Sequence, residues 1–348
     1  MSDMHYLITG HTGFKGAWLA LMLAQQGHRV SGLALEPASG CVYERARLSE
    51  LLVHDLRVDI RDGAATADAI VEVAPDVVLH LAAQPLVRES YRDPRGTFET
   101  NVMGTFNVLQ GVERTASVQA QVIITTDKVY RNVNQIWGYR ESDPLGGVDP
   151  YSASKAAADL ITQSWIASSG SQVPTAIARA GNVIGGGDVC SDRLMVDLVQ
   201  AFSTNRAVRL RYPDAVRPWQ HVLDCLNGYL ELAAALLAGR VAGEAFNFGP
   251  GTESFVPVGK VASEVAALWG ADARVELDEG PKVHEAELLA LDSRKAELLL
   301  GWQDRISFHD ALAWTVDWEK KVGAGADARA VTTAQITEFF TVAEDRQR

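Results

Sequence analysis

Thr126-Asp127-Lys128 and Tyr151-Ser-Ala-Ser-Lys155 stand close together near the middle of the chain. A tyrosine four residues ahead of a lysine shares one helix face with it. In that arrangement the ammonium can stabilise a phenolate and bring the phenol's pKa down toward neutrality. Such a phenolate takes the proton from an alcohol while a hydride leaves the same carbon. Simple alcohol oxidation needs no more. Asp127 adds an acid and Lys128 a candidate base, so the set points to oxidation coupled to a second proton transfer. Tyr-x-x-x-Lys alone is a common helix turn, and its meaning comes from its surroundings.

The start of the chain supplies those surroundings. Tyr6-Leu-Ile-Thr9 is a short apolar run that reads as a buried strand. Gly10-His-Thr-Gly13-Phe-Lys-Gly16 follows, and Ala17 to Ala24 reads as a helix. Strand, glycine turn and helix together make a glycine fingerprint credible. Glycines let the backbone approach a pyrophosphate, which then sits at the helix N-terminus. The spacing is Gly-x-x-Gly-x-x-Gly, and the absence of Gly-Lys-Ser/Thr rules out a Walker loop. A second strand, Arg29 to Leu35, ends at Glu36. An acid there accepts hydrogen bonds from the adenosine ribose and repels a 2′-phosphate. Pro37 and Ala38 follow with no adjacent arginine, so NAD is expected rather than NADP.

Strand and helix patterns alternate through the first half. Leu56 to Ile60 and Asp76 to Leu81 read as strands, and Ala64 to Val73 as a helix. A long helix spans Phe98 to Thr115. The strand Ala120 to Thr125 delivers Thr126 and Asp127 at its C-terminal end. A helix begins at Pro150, and Val173 to Arg179 is the next strand. This alternation predicts an α/β fold, a Rossmann-type doubly wound parallel sheet covered on both faces. Ligands bind at the carboxyl ends of such strands, where Gly10, Ala82, Thr126 and Ala180 should converge. Residues 1–182 read as the NAD-binding domain, with 222–248 returning to it. Residues 183–221 and 249–330 read as a smaller mixed α/β substrate domain, and 331–348 as a terminal helix and tail. No internal repeat is visible.

The chain has 348 residues, with 32 Lys plus Arg against 44 Asp plus Glu and a net charge of −12. That sign argues against nucleic-acid or anionic-membrane partners. Cys41, Cys190 and Cys225 lie far apart, with no metal-ligand spacing, and suit a reducing cytoplasm. No signal-peptide pattern or membrane-length apolar run is present.

The runs Thr9-Gly-His-Thr-Gly-Phe-Lys-Gly16, Leu81-Ala-Ala-Gln84, Thr126-Asp-Lys128, Tyr151-Ser-Ala-Ser-Lys155 and Arg179-Ala-Gly-Asn182 occur in this order. Together they resemble an extended short-chain dehydrogenase/reductase acting on nucleotide sugars. Finer segments resemble its CDP-glucose 4,6-dehydratase branch: Ala82 to Arg88, Trp137-Gly-Tyr-Arg-Glu141, Arg179 to Asp188 and Arg217-Pro-Trp-Gln-His221. The likeness runs to about Trp318. It implies an internal redox cycle on CDP-glucose. Hydride passes from C4 of the hexose to NAD as Tyr151 accepts the hydroxyl proton. The ketone acidifies the C5 proton, water leaves across C5 and C6, and the hydride returns to C6. A homodimer is also implied, through the helices Phe98–Thr115 and Tyr151–Ser168.

Residue roles follow from the same resemblance. Thr126 hydrogen-bonds the C4 oxygen, and Asp127 is the acid for the leaving hydroxyl, which requires a pKa raised by burial. Lys128 stands where dTDP-glucose dehydratases have Glu. Either it is the C5 base, or it stabilises the enolate while another group takes the proton. The expected cofactor contacts are Gly10, Thr12, Gly13, Phe14, Lys15, Gly16, Glu36, Asp59, Ile60, Leu81, Ala82, Ala83, Thr125, Tyr151 and Lys155. Lys155 would also hold the nicotinamide ribose. Arg193, Arg209, Arg211 and Arg217 are candidates for the substrate pyrophosphate, since guanidinium forks match phosphate oxygens. Asn182 and Arg88 are further substrate candidates. His80 and His284-Glu285 receive no role. A nucleotide-sugar 4-epimerase, or a dehydratase for a dTDP-, GDP- or UDP-sugar, is the rival reading. An epimerase needs Tyr151, Lys155 and Thr126 but not the acid Asp127. A non-catalytic NAD sensor would need neither complete set.

Overall fold

The computed structural model describes residues 3–168, 171–210, 212–271, 273–277 and 289–346. Strands β1 (His5–Thr9), β2 (Arg29–Ala34), β3 (Asp55–Arg57), β4 (Val77–His80), β5 (Ala120–Ile124) and β6 (Thr175–Ala180) alternate with helices. Short strands follow: β7 (Val183–Ile184), β8 (Ala207–Leu210), β9 (Val216–Pro218) and β10 (Gln220–His221). Then come β11 (Ala245–Phe248), β12 (Phe255–Pro257) and β13 (Arg274–Leu277). The main sheet has seven strands in the order β11-β6-β5-β4-β1-β2-β3. Every pair in it is parallel. Side chains of β1, β4, β5 and β6 are buried along their whole length, as helices on both faces require. The expected α/β architecture is therefore present. The helix Val222–Leu237 leads to β11, which adds to the sheet beside β6.

The order reverses about β1 and β4: β2 and β3 lie on one side, β5, β6 and β11 on the other. A crevice opens at such a switch point, outside the carboxyl ends of the strands. The smaller pairs are β7 with β10, β9 with β12, and β8 with β13. β7 leaves directly from the end of β6, so residues after Asn182 begin at the crevice rim.

Two local expectations differ from the structure. Phe98–Thr115 is not one regular helix. The helix Pro94–Phe98 passes through a π-helical turn, Glu99–Met103, into the helix Gly104–Glu113. That wider turn faces the buried Asn101 toward the end of β4. Asn101 Oδ1 accepts the Gln84 backbone N–H at 2.8 Å, and Nδ2 donates to Ser154 Oγ at 2.9 Å. Satisfying a buried amide thus outweighs helical regularity. The strand placed at Leu56–Ile60 ends at Arg57, because the Asp59 carboxylate accepts the Arg61 backbone N–H at 2.9 Å and turns the chain.

Between β5 and the helix Pro150–Ser168 the chain runs out and back. The Arg131 N–H donates to the Pro144 carbonyl at 2.9 Å, and the Gly146 N–H to that of Val129 at 2.8 Å. Tyr130 pairs antiparallel with Leu145. Val133, Ile136 and Trp137 are exposed at the tip.

Candidate active site

The first turn is shaped by what its glycines lack. Gly10 has φ +78°, and a Cβ there would lie 2.8 Å from the Ala82 nitrogen. A Cβ on Gly16 would lie 2.2 Å from the Gly10 carbonyl oxygen. The turn is therefore pressed against the end of β4, where the Ala82 N–H donates to Thr9 Oγ1 at 3.2 Å. The helix Phe14–Gln25 starts at Gly13 with no side-chain cap. Its first N–H groups are left for an anion, which is what a dinucleotide pyrophosphate needs. Thr12 Oγ1 donates to the Leu35 carbonyl at 3.1 Å and ties the turn to the end of β2. The residues present therefore fit NAD.

Thr125 and Thr126 leave the end of β5 and are buried. Lys155 Nζ donates to the Ile124 carbonyl at 2.9 Å, so the catalytic helix is pinned to that strand end. Thr125 Oγ1 donates to Asp159 Oδ2 at 3.1 Å. Asp159 also takes a bidentate pair from buried Arg179 on β6, Nε and Nη2 each at 2.8 Å. Removing one partner of such a buried pair costs roughly 3–5 kcal/mol, so this joint between helix, β5 and β6 is stiff.

Thr126 Oγ1 donates to Asp127 Oδ1 at 2.9 Å. Burial pushes the Asp127 carboxyl up, against the pull of Lys128, the Thr126 hydrogen bond and Arg217. The sequence requirement for an acid is met in direction. Gly181, at the end of β6, has no described role in the sequence reading beyond its motif. Here a Cβ on it would meet Asp127 Oδ2 at 3.0 Å and Pro218 Cγ at 3.6 Å, so its bareness makes room for the carboxyl.

The phenol departs from expectation. Burial carries Tyr151 up to about 12, with the Thr126 hydrogen bond and Arg193 working against it. The cation acting most strongly on the phenol is thus Arg193, not Lys155. Lys155 is itself lowered to about 8 by burial and by Lys15. The reason is geometric, because the Lys155 ammonium is turned to the Ile124 carbonyl. Lys15 Nζ donates to Tyr229 Oη at 3.0 Å, an anchor on the helix Val222–Leu237 that no local pattern foretells. Its charge also acts on Asp127 and Arg193.

The remaining candidates divide. Arg193 Nη1 pairs with Asp188 at 2.6 Å beside the phenol, and Arg88 Nη1 with Asp192 at 2.6 Å. Arg217 donates to the Val216 carbonyl at 2.8 Å, within electrostatic reach of Asp127. The Asn182 carbonyl accepts the Gln220 N–H at 3.3 Å at the same strand ends. Arg209 is exposed on β8, paired with Glu276 at 3.4 Å, and no described contact joins it to this group. Phe14 is partly buried beside Gly185, whose added Cβ would meet its ring at 3.1 Å. Leu81 N–H donates to the Thr9 carbonyl at 3.1 Å, with Ala82 and Ala83 following. Asp59 is engaged by Arg61, and Ile60 is buried under Gly104. His80 is buried between Thr9 Oγ1 at 2.7 Å and Thr105 Oγ1 at 3.0 Å. Arg211 and His284-Glu285 lie outside the described residues.

Glu36 gains a neighbour that its local sequence does not show. It has no arginine beside it in sequence, but Arg57 Nε lies 3.3 Å from its carboxylate in space. The cause is strand pairing, since Ala34 on β2 is in register with Arg57 on β3.

Comparison with known proteins places this arrangement. The GDP-mannose 4,6 dehydratase family matches residues 7–315, and the chain belongs to that family of short-chain dehydrogenase/reductase-type enzymes. A CDP-glucose 4,6-dehydratase of Salmonella typhimurium is 41% identical over 96% of this chain and 95% of its own. A dTDP-glucose 4,6-dehydratase of Streptomyces antibioticus is 32% identical over 90% of this chain and 92% of its own. Among solved structures, a dTDP-glucose 4,6-dehydratase of Streptomyces venezuelae with NAD bound is 29% identical. It superposes with a TM-score of 0.77, covering 91% of this chain and 97% of that one.

Proposed function

We propose that this enzyme dehydrates CDP-glucose to CDP-4-keto-6-deoxyglucose with NAD as a cofactor regenerated in each cycle. NAD, when bound, supplies the reversible two-electron acceptor. Tyr151 takes the C4 hydroxyl proton, and Thr126 holds that oxygen. Asp127 gives its proton to the departing C6 hydroxyl. Lys128 serves the C5 step, meeting the proton or the enolate charge. Arg193 and Arg217 offer positive charge for the substrate pyrophosphate, with Asn182 and Arg88 at the rim; Arg209 is a weaker contributor because Glu276 already engages it. The observation that carries the reading is the buried, hydrogen-bonded Asp127 beside the oxidising pair, because an epimerase has no use for that acid. The CDP preference is supported by the 41% identity to the Salmonella enzyme.

CDP-, dTDP-, UDP- and GDP-glucose, assayed side by side in deuterated water, test this. CDP-glucose should give the fastest loss of one water, with deuterium at C5 of the product. Unchanged mass with a galactose isomer would establish the epimerase instead. Preference for another base would overturn the substrate.

The homodimer is proposed on a different observation. Phe98, Met103 and Leu160 are exposed apolar side chains on the segments 94–113 and 150–168, where Phe106 and Trp165 meet edge to face with centroids 5.5 Å apart. An exposed apolar face of this kind suits a twofold dimer. Sedimentation should give the dimer mass, and Leu160→Glu should shift it toward monomer; a wild-type monomer at micromolar concentration rejects the proposal. The cytoplasmic assignment rests on three cysteines that form no disulfide. No helix among the described residues is long and apolar enough to cross a membrane.

A further inference from the structure

Glu36 stands just beyond β2, and Arg57 ends the neighbouring strand β3. Arg57 is held from behind. Its Nη1 donates to Asp55 Oδ1 at 2.6 Å, and its Nη2 to Tyr43 Oη at 2.8 Å. Asp55 in turn bonds His11 Nε2 at 2.7 Å, and His11 belongs to the glycine turn. The guanidinium is thus fixed on the same rim as the turn that receives the dinucleotide. Its Nε meets the Glu36 carboxylate at 3.3 Å, and the Glu36 side chain is 81% exposed. A carboxylate and a phosphate monoester are interchangeable acceptors for a guanidinium edge.

We propose that Arg57 forms a latent 2′-phosphate site, and that Glu36 keeps it closed by filling the anion position with its own carboxylate. This rests on the placement of NAD along the glycine turn. Glu36 then acts twice on cofactor choice. It accepts the ribose hydroxyls of NAD, and it denies NADP the Arg57 guanidinium for its extra phosphate. Loss of Glu36 would do more than lift a repulsion, because it would also free a preorganised donor. Arg57 needs no movement to serve, since Asp55 and Tyr43 hold it in place.

Equilibrium binding of NAD and NADP, read by calorimetry without turnover, separates these effects in a double-mutant cycle. Glu36→Ser should tighten NADP binding roughly tenfold or more, the factor one charge-assisted hydrogen bond supplies. In the Arg57→Gln background only the relief of repulsion remains, so the gain from the same change should be clearly smaller, by more than the roughly twofold scatter of independent sites. Arg57→Lys keeps a cation for Asp55 while removing the Nε donor. It replaces Arg57→Gln should that variant fail to fold, and the gain should again shrink. An equal gain with and without Arg57 would mean that Glu36 acts by repulsion alone, and the latent site would be refuted. No gain in Glu36→Ser refutes it as well. Failure of the unaltered protein to bind NAD at all would sink the cofactor placement first, and the proposal with it.

Discussion

Tyr151→Phe leaves a folded protein that no longer oxidises its substrate. Removing a positioned general base costs about 10²–10⁴ in rate, and the upper end applies because Thr126, the nearest hydroxyl, is a poor base. The readout is a single turnover with CDP-glucose, following reduced-nicotinamide absorbance, with circular dichroism as the check on folding. Near-normal absorbance change would remove Tyr151 from the chemistry. The pH dependence has a definite sign. The buried phenol stands at about 12, so the fraction of phenolate, and with it the oxidation rate, rises with pH. Lys155, lowered to about 8, loses its charge on the way, but the cation acting on the phenol is Arg193, so the rise should continue past that point.

Asp127→Asn separates the two halves of the reaction. The amide still accepts the Thr126 hydroxyl, so the strand end keeps its shape, but it has no acidic proton to give. Elimination should slow about 10²–10⁴-fold while C4 oxidation persists. Reduced nicotinamide and a 4-keto sugar that retains its C6 hydroxyl should then accumulate, seen together by absorbance and mass spectrometry. Dehydrated product at the normal rate would show that another acid serves the C6 oxygen. Loss of both halves alike would assign Asp127 to binding rather than to proton transfer. The two variants thus fail at different steps, which a merely structural defect does not produce.

What the chain discloses in one dimension is what depends on neighbours in sequence. The strand Tyr6–Thr9, the glycine turn and the helix after it are local, as are Thr126-Asp-Lys128 and Tyr151 to Lys155. Their patterns are sufficient to place them at strand ends and at the start of the helix Pro150–Ser168. What stayed hidden depends on packing between distant segments. Arg57 reaches Glu36 only because β2 and β3 pair in a particular register. Tyr229 meets Lys15 from 214 residues away. The phenol is raised mainly by burial, and the cation that opposes this is Arg193, which follows a loop that no periodicity describes. The π-helical turn at Glu99–Met103 answers to a buried Asn101, whose partners lie on two other elements. Arg209 shows the converse: a basic residue in a suggestive sequence cluster that faces Glu276 instead.

The excursion between β5 and the catalytic helix is clasped at its base by Arg131, Gly146 and the Tyr130–Leu145 pair. On its return arm Tyr139 and Glu141 are tied to Asn247 on β11, so only the tip stands clear of the core. Changes confined to the exposed Val133, Ile136 and Trp137 should therefore leave the span between Thr126 and Tyr151 in place. Grafting the tip between relatives is a rational route to altering what the enzyme meets at its surface.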